Sequence, residues 1–360
     1  MSKLALLANK KELGDLTDLR KRVWRKSHSL KSVISFDYAR KKFAKFLETN
    51  EEADPYRLLD NYVTWLGAQG YSPKYIVDYT NWAKKILRQT CEISNEAFRE
   101  KVSLPTIQIP MDDKPSEEDI RRLLINGQGR LKPLIALLKD TASRPLELLG
   151  LQLMHFNLQY NPPYLVIPSY LAKNDIEREV FFTPESKTIL ESYLKNKGIK
   201  NPEQHVFLRR EPPKDEEGFQ RALLSAKKGI DSVWRKLLSK PSFEHLNMVI
   251  IGRRKAVRHK VHLYSLKKFA FTKVADTIGE IAAHAMAGHK AYMITYYKKT
   301  REERSRDYMR MIPKLSVLAP EDIEIRKKRE EAEKTIQGLS SDQLDAILKL
   351  ANELASGKRL

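Results

Sequence analysis

Four short stretches of this chain carry side chains able to do chemistry, and all of them combine cations with hydroxyl or imidazole groups. Arg144 stands in T-A-S-R-P-L-E-L, with Glu147 three residues on, a spacing that by itself describes an ordinary ion pair. Lys173 sits in the polar turn Lys173-Asn174-Asp175, where a lysine is commonplace. Tyr264 opens Y-S-L-K-K-F-A-F-T, which places Lys267 three positions later. Finally, Gly288-His289 leads within a turn or two to a tyrosine pair, Tyr296 and Tyr297. Aromatic pairs are usually core. These are flanked by Lys290, Lys298, Lys299 and Arg301, an unusual setting for buried rings. Cations that can hold an anion, an imidazole and phenols that can attack it suit a negatively charged substrate.

The bulk composition points the same way. Lys and Arg number 66 against 46 Asp and Glu, a formal charge of +20 over 360 residues. Such an excess favours a polyanionic partner over a merely basic, soluble surface, because each cation placed on a phosphate releases a condensed counterion and adds affinity. Charge alone does not choose between DNA and RNA. A single cysteine, Cys91, excludes a disulfide framework and any zinc site built on two or more thiolates. No stretch approaches the roughly 20 apolar residues of a spanning helix, and the N-terminus reads as neither signal peptide nor anchor, so a cytoplasmic, membrane-free protein is expected.

The elements that must position these residues fall into segments. Residues 1–26 form a basic N-terminal segment. Residues 27–101 carry a helical period: Phe36, Ala39, Phe43 and Phe46 recur at three- and four-residue steps, as do Leu58, Tyr62 and Leu66. Gly67 and Gly70 mark a helix end, and Ser72-Pro73 an N-cap with proline at the first helical position. The aromatic residues here follow the helical repeat and are read as core. Residues 102–115 hold three prolines and no period, which describes a linker. Ser116 followed by Glu117, Glu118 and Asp119 caps the next helix. Within 116–318 helices alternate with two short strands at 164–168 and 178–182, and a basic loop at 252–262 precedes a helix from Ser265 to about Asp276. A further helix is expected from Ile278 to Ala287. Residues 319–360 form a charged helical tail. The fold class is therefore mainly α with a small β-sheet.

Taken in order, R-P-x-E, the hairpin lysine, S-L-K-K-F, Gly-His and the tyrosines resemble the catalytic domain of the tyrosine recombinases, or phage-type integrases, particularly archaeal viral or plasmid integrases. The resemblance covers nearly all of residues 28–317, and the 22 positions from Lys267 to His289 are close to the family's spacing. It implies a helical core-binding domain that clamps DNA, followed by a catalytic domain. The implied activity is site-specific integration or excision of double-stranded DNA at attachment sites by a homotetramer, through a covalent 3′-phosphotyrosine and with no cofactor or metal. Arg144 would then hold the non-bridging phosphate oxygens with its planar fork, and His289 would donate a further hydrogen bond. Lys173 would protonate the departing 5′ oxygen, and a tyrosine would attack phosphorus. Arg253, Arg254, Lys255, Arg258 and Lys260 are candidate DNA contacts.

The chain departs from the family pattern in three places. Tyr264 replaces the usual histidine, and its hydroxyl can still bond phosphate. Lys267 replaces the second arginine, keeping the charge but losing the bidentate fork. The interval from His289 to the tyrosine is one position short for Tyr297 and two for Tyr296, so Tyr297 is the first candidate and Tyr296 the alternative. Tyr292, His284 and His262 are read as structural or peripheral. A type IB topoisomerase-like enzyme and a non-catalytic or weakened DNA-binding protein with the recombinase fold remain as other readings.

Overall fold

The computed structural model describes residues 16–107, 113–253, 256–289, 297–318, 340 and 342–348. In chain order it has α1 (Thr17–Ser27), α2 (Leu30–Leu47), α3 (Pro55–Ala68), α4 (Pro73–Leu87), α5 (Asn95–Lys101), α6 (Glu117–Asn126), α7 (Leu131–Thr141) and α8 (Pro145–Leu149). Strands β1 (Phe156–Asn157), β2 (Tyr164–Ile167) and β3 (Arg178–Phe181) follow, then α9 (Pro184–Lys197) and α10 (Glu216–Leu238). A hairpin of β4 (Val249–Arg253) and β5 (Ala256–His259) precedes α11 (Ser265–Ile278), α12 (Glu280–Met286), α13 (Arg301–Met309) and α14 (Ile312–Leu315). The chain is thus mainly α with a small antiparallel sheet in the order β1-β2-β3 and a separate two-stranded hairpin. Among the described residues no helix is long and apolar enough to cross a membrane.

Two compact units partition the chain. The first takes Met1–Lys114, Arg144–Met154 and Lys200–Leu266, and the second Pro115–Ser143, His155–Ile199 and Lys267–Leu360. In the first unit α2 to α5 form a bundle whose starts are fixed locally. Ser29, Asp54, Ser72 and Ser94 each accept a first-turn amide, and Pro55 and Pro73 occupy first helical positions that need no donor. Phe36, Phe43, Phe46, Leu58, Leu59, Tyr62, Leu66, Ala83, Ile86 and Leu87 then fall on inward faces and make one core. Tyr75, Tyr79 and Trp82 pack against that core while only half-buried. Tyr71, Tyr75 and Tyr79 stack in a ladder with centroid separations of 4.1 and 3.7 Å. In the same unit Gln220 of α10 donates to His28 O and accepts from Leu30 N–H, both at 2.7 Å, pinning the start of α2.

The second unit is organised on α7, every residue of which is buried except Lys132. Ser116 and Asp119 form a reciprocal capping box at the start of α6, as the sequence implies. Lys139, fully buried, meets Asp140 at 2.6 Å, Glu185 at 2.9 Å and the Leu315 carbonyl at 2.7 Å. Burial opposes the charge on Lys139, but Asp140 and Glu185 outweigh it and the ammonium is held above its ordinary range. Asp140 also accepts the Thr183 amide and hydroxyl, and Glu185 accepts the amides of Val317 and Leu318.

The structure corrects the sequence in three places. The basic stretch expected as a loop at 252–262 contains the end of β4 and all of β5, paired antiparallel from Val249↔His259 to Arg253↔Ala256. The helix expected from Ile278 begins at Glu280, because Gly279 adopts φ +101° and breaks it from α11. The basic N-terminal segment includes a helix, α1, on which Leu19 and Val23 pack against the bundle core.

Candidate active site

The hairpin β2–β3 is the frame of the second unit's candidate residues. Its strands pair from Tyr164↔Phe181 to Ile167↔Arg178. Beyond them the chain turns tightly, with Asp175 at φ +56° donating its amide to Ala172 O. Lys173 is exposed on this turn. Its neighbour Asn174 donates from Nδ2 to the Gly288 carbonyl at 2.8 Å. Arg178, at the base of β3, donates from Nε to the Met286 carbonyl at 3.0 Å. Two side chains on one hairpin therefore hold the corner that carries His289.

That corner begins where α12 ends. Gly288 adopts φ +64°, and a Cβ built there would lie 2.7 Å from Arg178 Nη1. Both the left-handed conformation and the closeness of the guanidinium call for glycine. The His289 amide donates to His284 O at 3.1 Å, and the two Nδ1 atoms lie 2.9 Å apart, so one ring donates and the other accepts. Phe271 meets both rings, edge-on to His284 at 5.1 Å and tilted to His289 at 5.7 Å. His284, peripheral on sequence grounds, orients the candidate histidine.

Lys267 lies beneath the same corner. It is 3% exposed, and its ammonium donates to the carbonyl of Ala142 at 2.6 Å and of Ala287 at 2.9 Å. Ala142 and Ala287 are the C-cap residues of α7 and α12, and with Ala270 they form a small alanine cluster. Ala142 takes a left-handed φ of +48° two positions before Arg144 in the chain.

Tyr297 lines a cleft of about 450 Å³ with Arg178, Glu179, Phe181, Met286 and Tyr308. It is half-buried, and burial holds its phenol above the ordinary tyrosine range although nearby Lys299 pulls the other way. Lys299 faces the ring at 5.8 Å and pairs with Asp307 at 2.5 Å. Tyr296 and Tyr292 lie outside the described residues. Immediately beyond Tyr297, Thr300 caps α13, and Arg301 and Arg304 converge on Glu179 of β3. Arg301 Nε lies 3.1 Å from both Glu179 oxygens, its Nη2 bonds Oε1, and Arg304 Nη2 bonds Oε2 at 2.7 Å. The Arg301 bonds, more than those of Arg304, hold the Glu179 carboxyl below its usual range against the opposing effect of burial.

Arg144 and Tyr264 belong to the first unit. Arg144 is the N-cap of α8 in extended conformation, with Pro145 next. Nearly fully buried Glu147 accepts the Arg144 amide and guanidinium, each at 2.8 Å, and so fixes the plane of the fork. Tyr264 is exposed in the turn before α11, its ring 6.2 Å from that of His262, and His262 Nδ1 is 2.8 Å from Ser265 Oγ at the helix start. Lys260 follows β5 and meets Asp113 at 3.1 Å, so this candidate DNA contact engages the linker. Arg253 and Arg258 lie on the β4 and β5 backbones, whereas Arg254 and Lys255 lie outside the described residues.

No protein-family model matches the chain, and no curated protein matches it. Solved structures do. XerH site-specific recombinase bound to palindromic difH substrate is similar at 13% identity and TM-score 0.49, over 84% of this chain and 85% of that one. The Tn1549 transposon integrase in complex with circular intermediate DNA is similar at 15% identity and TM-score 0.49, over 82% and 98%. A lambda integrase dimer bound to a core site is similar at 12% identity and TM-score 0.46, over 79% and 94%.

The structure brings Lys173, Lys267, His289 and Tyr297 into one unit, where residues neighbouring them are joined by bonds to backbone carbonyls and by ion pairs. Sequence reasoning missed Asn174, Arg178, Glu179 and Arg304. No local spacing signals them, since their partners lie over a hundred positions away. Among the described residues no group of three His, Cys, Asp or Glu is placed to hold a metal.

Proposed function

We propose that this chain is a site-specific DNA recombinase of the tyrosine recombinase class, cutting and rejoining double-stranded DNA through a 3′-phosphotyrosine. The observation that carries the reading is the β2–β3 hairpin. It presents Lys173 while bonding both the Gly288-His289 corner and the segment just beyond Tyr297. Tyr297 Oη attacks phosphorus and the bond to the 5′ oxygen breaks. Lys173 gives that oxygen its proton. An ordinary tyrosine is already a phenol at neutral pH and burial reinforces this, so the Tyr297 proton passes to water as Oη bonds phosphorus. His289, oriented by His284, and Arg144, oriented by Glu147, stabilise the charge that grows on the non-bridging oxygens. Lys267 serves this site from beneath, holding the C-termini of α7 and α12. The α2–α5 bundle clamps the duplex, and four protomers assemble on two attachment sites.

A second reading, a DNA-binding protein with weakened or no catalysis, draws on Lys267, whose ammonium is directed at carbonyls inside the unit. A nicked duplex carrying the candidate attachment site distinguishes the two. Wild type is expected to form a denaturation-resistant adduct, lost in Tyr297→Phe and retained in Tyr296→Phe. Loss in Tyr296→Phe alone moves the nucleophile. No adduct on a site that the protein binds overturns the enzyme reading.

A further inference from the structure

We infer that Glu179 is a positioning residue that locks the tyrosine-bearing segment to the lysine-bearing hairpin, so that candidate nucleophile and acid move as one body. This rests on the reading proposed above. Glu179 lies on β3, six positions after Lys173, and its carboxylate is 19% exposed. Arg301 and Arg304 follow Tyr297 by four and seven positions and lie on one face of α13. Arg301 presents its fork to both carboxylate oxygens, and Arg304 adds a bond to Oε2 and a second, at 3.5 Å, to the Glu179 backbone carbonyl. The Arg301 guanidinium also lies 4.8 Å from the ring centroid of Tyr164, on the paired strand β2. One carboxylate thus gathers two cations from the helix that follows the nucleophile, and both strands of the hairpin take part.

The same hairpin holds the histidine corner through Asn174 and Arg178, but those bonds are of a different kind. The Asn174 and Arg178 Nε bonds each run to one backbone carbonyl and form no carboxylate–guanidinium pair. The Glu179 junction is bidentate and charge-assisted, which fixes direction as well as distance. Its place in the sequence is informative too. Were its purpose only to hold α13 down, Tyr308 would suffice: that ring is buried, lies 5.7 Å from Phe181 and bonds the Asp140 carbonyl. The arginine pair instead acts on the first turn of α13, next to the capping Thr300 and three residues beyond Tyr297. A nucleophile on a segment joined to the body only through the far end of its helix would move independently of the acid. Tied at its near end to β3, it follows the hairpin.

The test uses the full chain in two measurements. Hydrogen exchange of residues 297–309, without DNA, is compared in wild type, Glu179→Gln and the reversed pair Glu179→Arg with Arg301→Glu. Adduct formation on the nicked duplex is followed in the same three proteins. Glu179→Gln is expected to raise exchange in 297–304 about tenfold and slow adduct formation by a similar factor or more, with unchanged binding to the duplex. The reversed pair is expected to recover part of both. Unchanged exchange in Glu179→Gln overturns the lock. Faster exchange with unchanged adduct formation overturns the positioning role. If wild type itself forms no adduct, the enzyme reading falls separately, and the exchange data still decide whether the lock exists.

Discussion

Gly288→Ala is the substitution whose cost the structure sets most narrowly. Placing a non-glycine residue at φ +64° costs about 1–2 kcal/mol, because Cβ crowds the neighbouring carbonyl. The new methyl would also stand 2.7 Å from Nη1 and 2.8 Å from Cζ of Arg178. A flexible side chain on the surface would swing away. Arg178 is only 9% exposed and bonded to the Met286 carbonyl, so moving it breaks a buried charge-assisted bond worth about 1.5–3 kcal/mol. The two contributions together predict a loss of about 2.5–5 kcal/mol, measurable by urea denaturation followed by circular dichroism. The double substitution Gly288→Ala, Arg178→Ala separates them. In the Arg178→Ala background the steric part is already gone, and adding the methyl should cost only the roughly 1–2 kcal/mol of backbone strain. Equal costs in both backgrounds would refute the contact with Arg178. A cost below about 0.5 kcal/mol in wild type would refute the left-handed corner itself.

Lys139→Met removes the cation from a fully buried cluster and leaves Asp140 and Glu185 facing each other, and is expected to destabilise the protein by about 3–5 kcal/mol in thermal unfolding. Ser116→Ala leaves the Asp119 amide uncapped and should cost about 1 kcal/mol, and Asp119→Ala should add a further loss, because the backbone amide at 116 that donates to its carboxylate survives the first substitution. The Glu179 carboxyl is held low in the folded state, so its contribution to stability is full above the ordinary carboxylate value, near 4.5, and is lost as pH falls through the folded value. Protection of residues 297–304 from hydrogen exchange should therefore weaken only in that acidic window, and a loss beginning near neutrality would contradict the assignment. With a substrate whose leaving group needs no proton, cleavage should keep accelerating through the usual tyrosine range near pH 10, because burial holds Tyr297 above it. A plateau well below that range would count against Tyr297.

Much of the local architecture was legible. Ser72-Pro73 and Ser116 through Asp119 announce helix starts because caps are short-range chemistry. The strand pair around Lys173 shows in its apolar runs, and Gly288 marks a helix end. The β4–β5 hairpin was hidden, since its apolar run, Val249 to Ile251, is short and the basic residues that follow Gly252 read as a loop. Helix α1 was equally obscure, with only Leu19 and Val23 to show its inner side. At the candidate site the sequence supplies Lys173, Lys267, His289 and Tyr297, but not their relations. Glu179 meets Arg301 across 122 positions and Asn174 meets Gly288 across 114. Such pairs exist only once the chain has folded. Lys267 is the sharpest case, because nothing in S-L-K-K-F says which lysine faces inward or that two carbonyls await it.

Lys267 also bears on the electrostatic field. The carbonyl ends of α7 and α12 are the negative poles of their peptide dipoles, each equivalent to roughly half an elementary charge. One ammonium set between two such poles meets close to its own charge in opposite sign. Seen from outside the unit, the lysine and the two helix ends approach neutrality. An arriving phosphate would sense little of it, and the long-range attraction would have to come from other cations. Lys267→Met should then leave the salt dependence of DNA binding nearly unchanged while loosening the two helix ends. In Lys173→Met, by contrast, the slope of affinity against salt should shrink by about one phosphate contact.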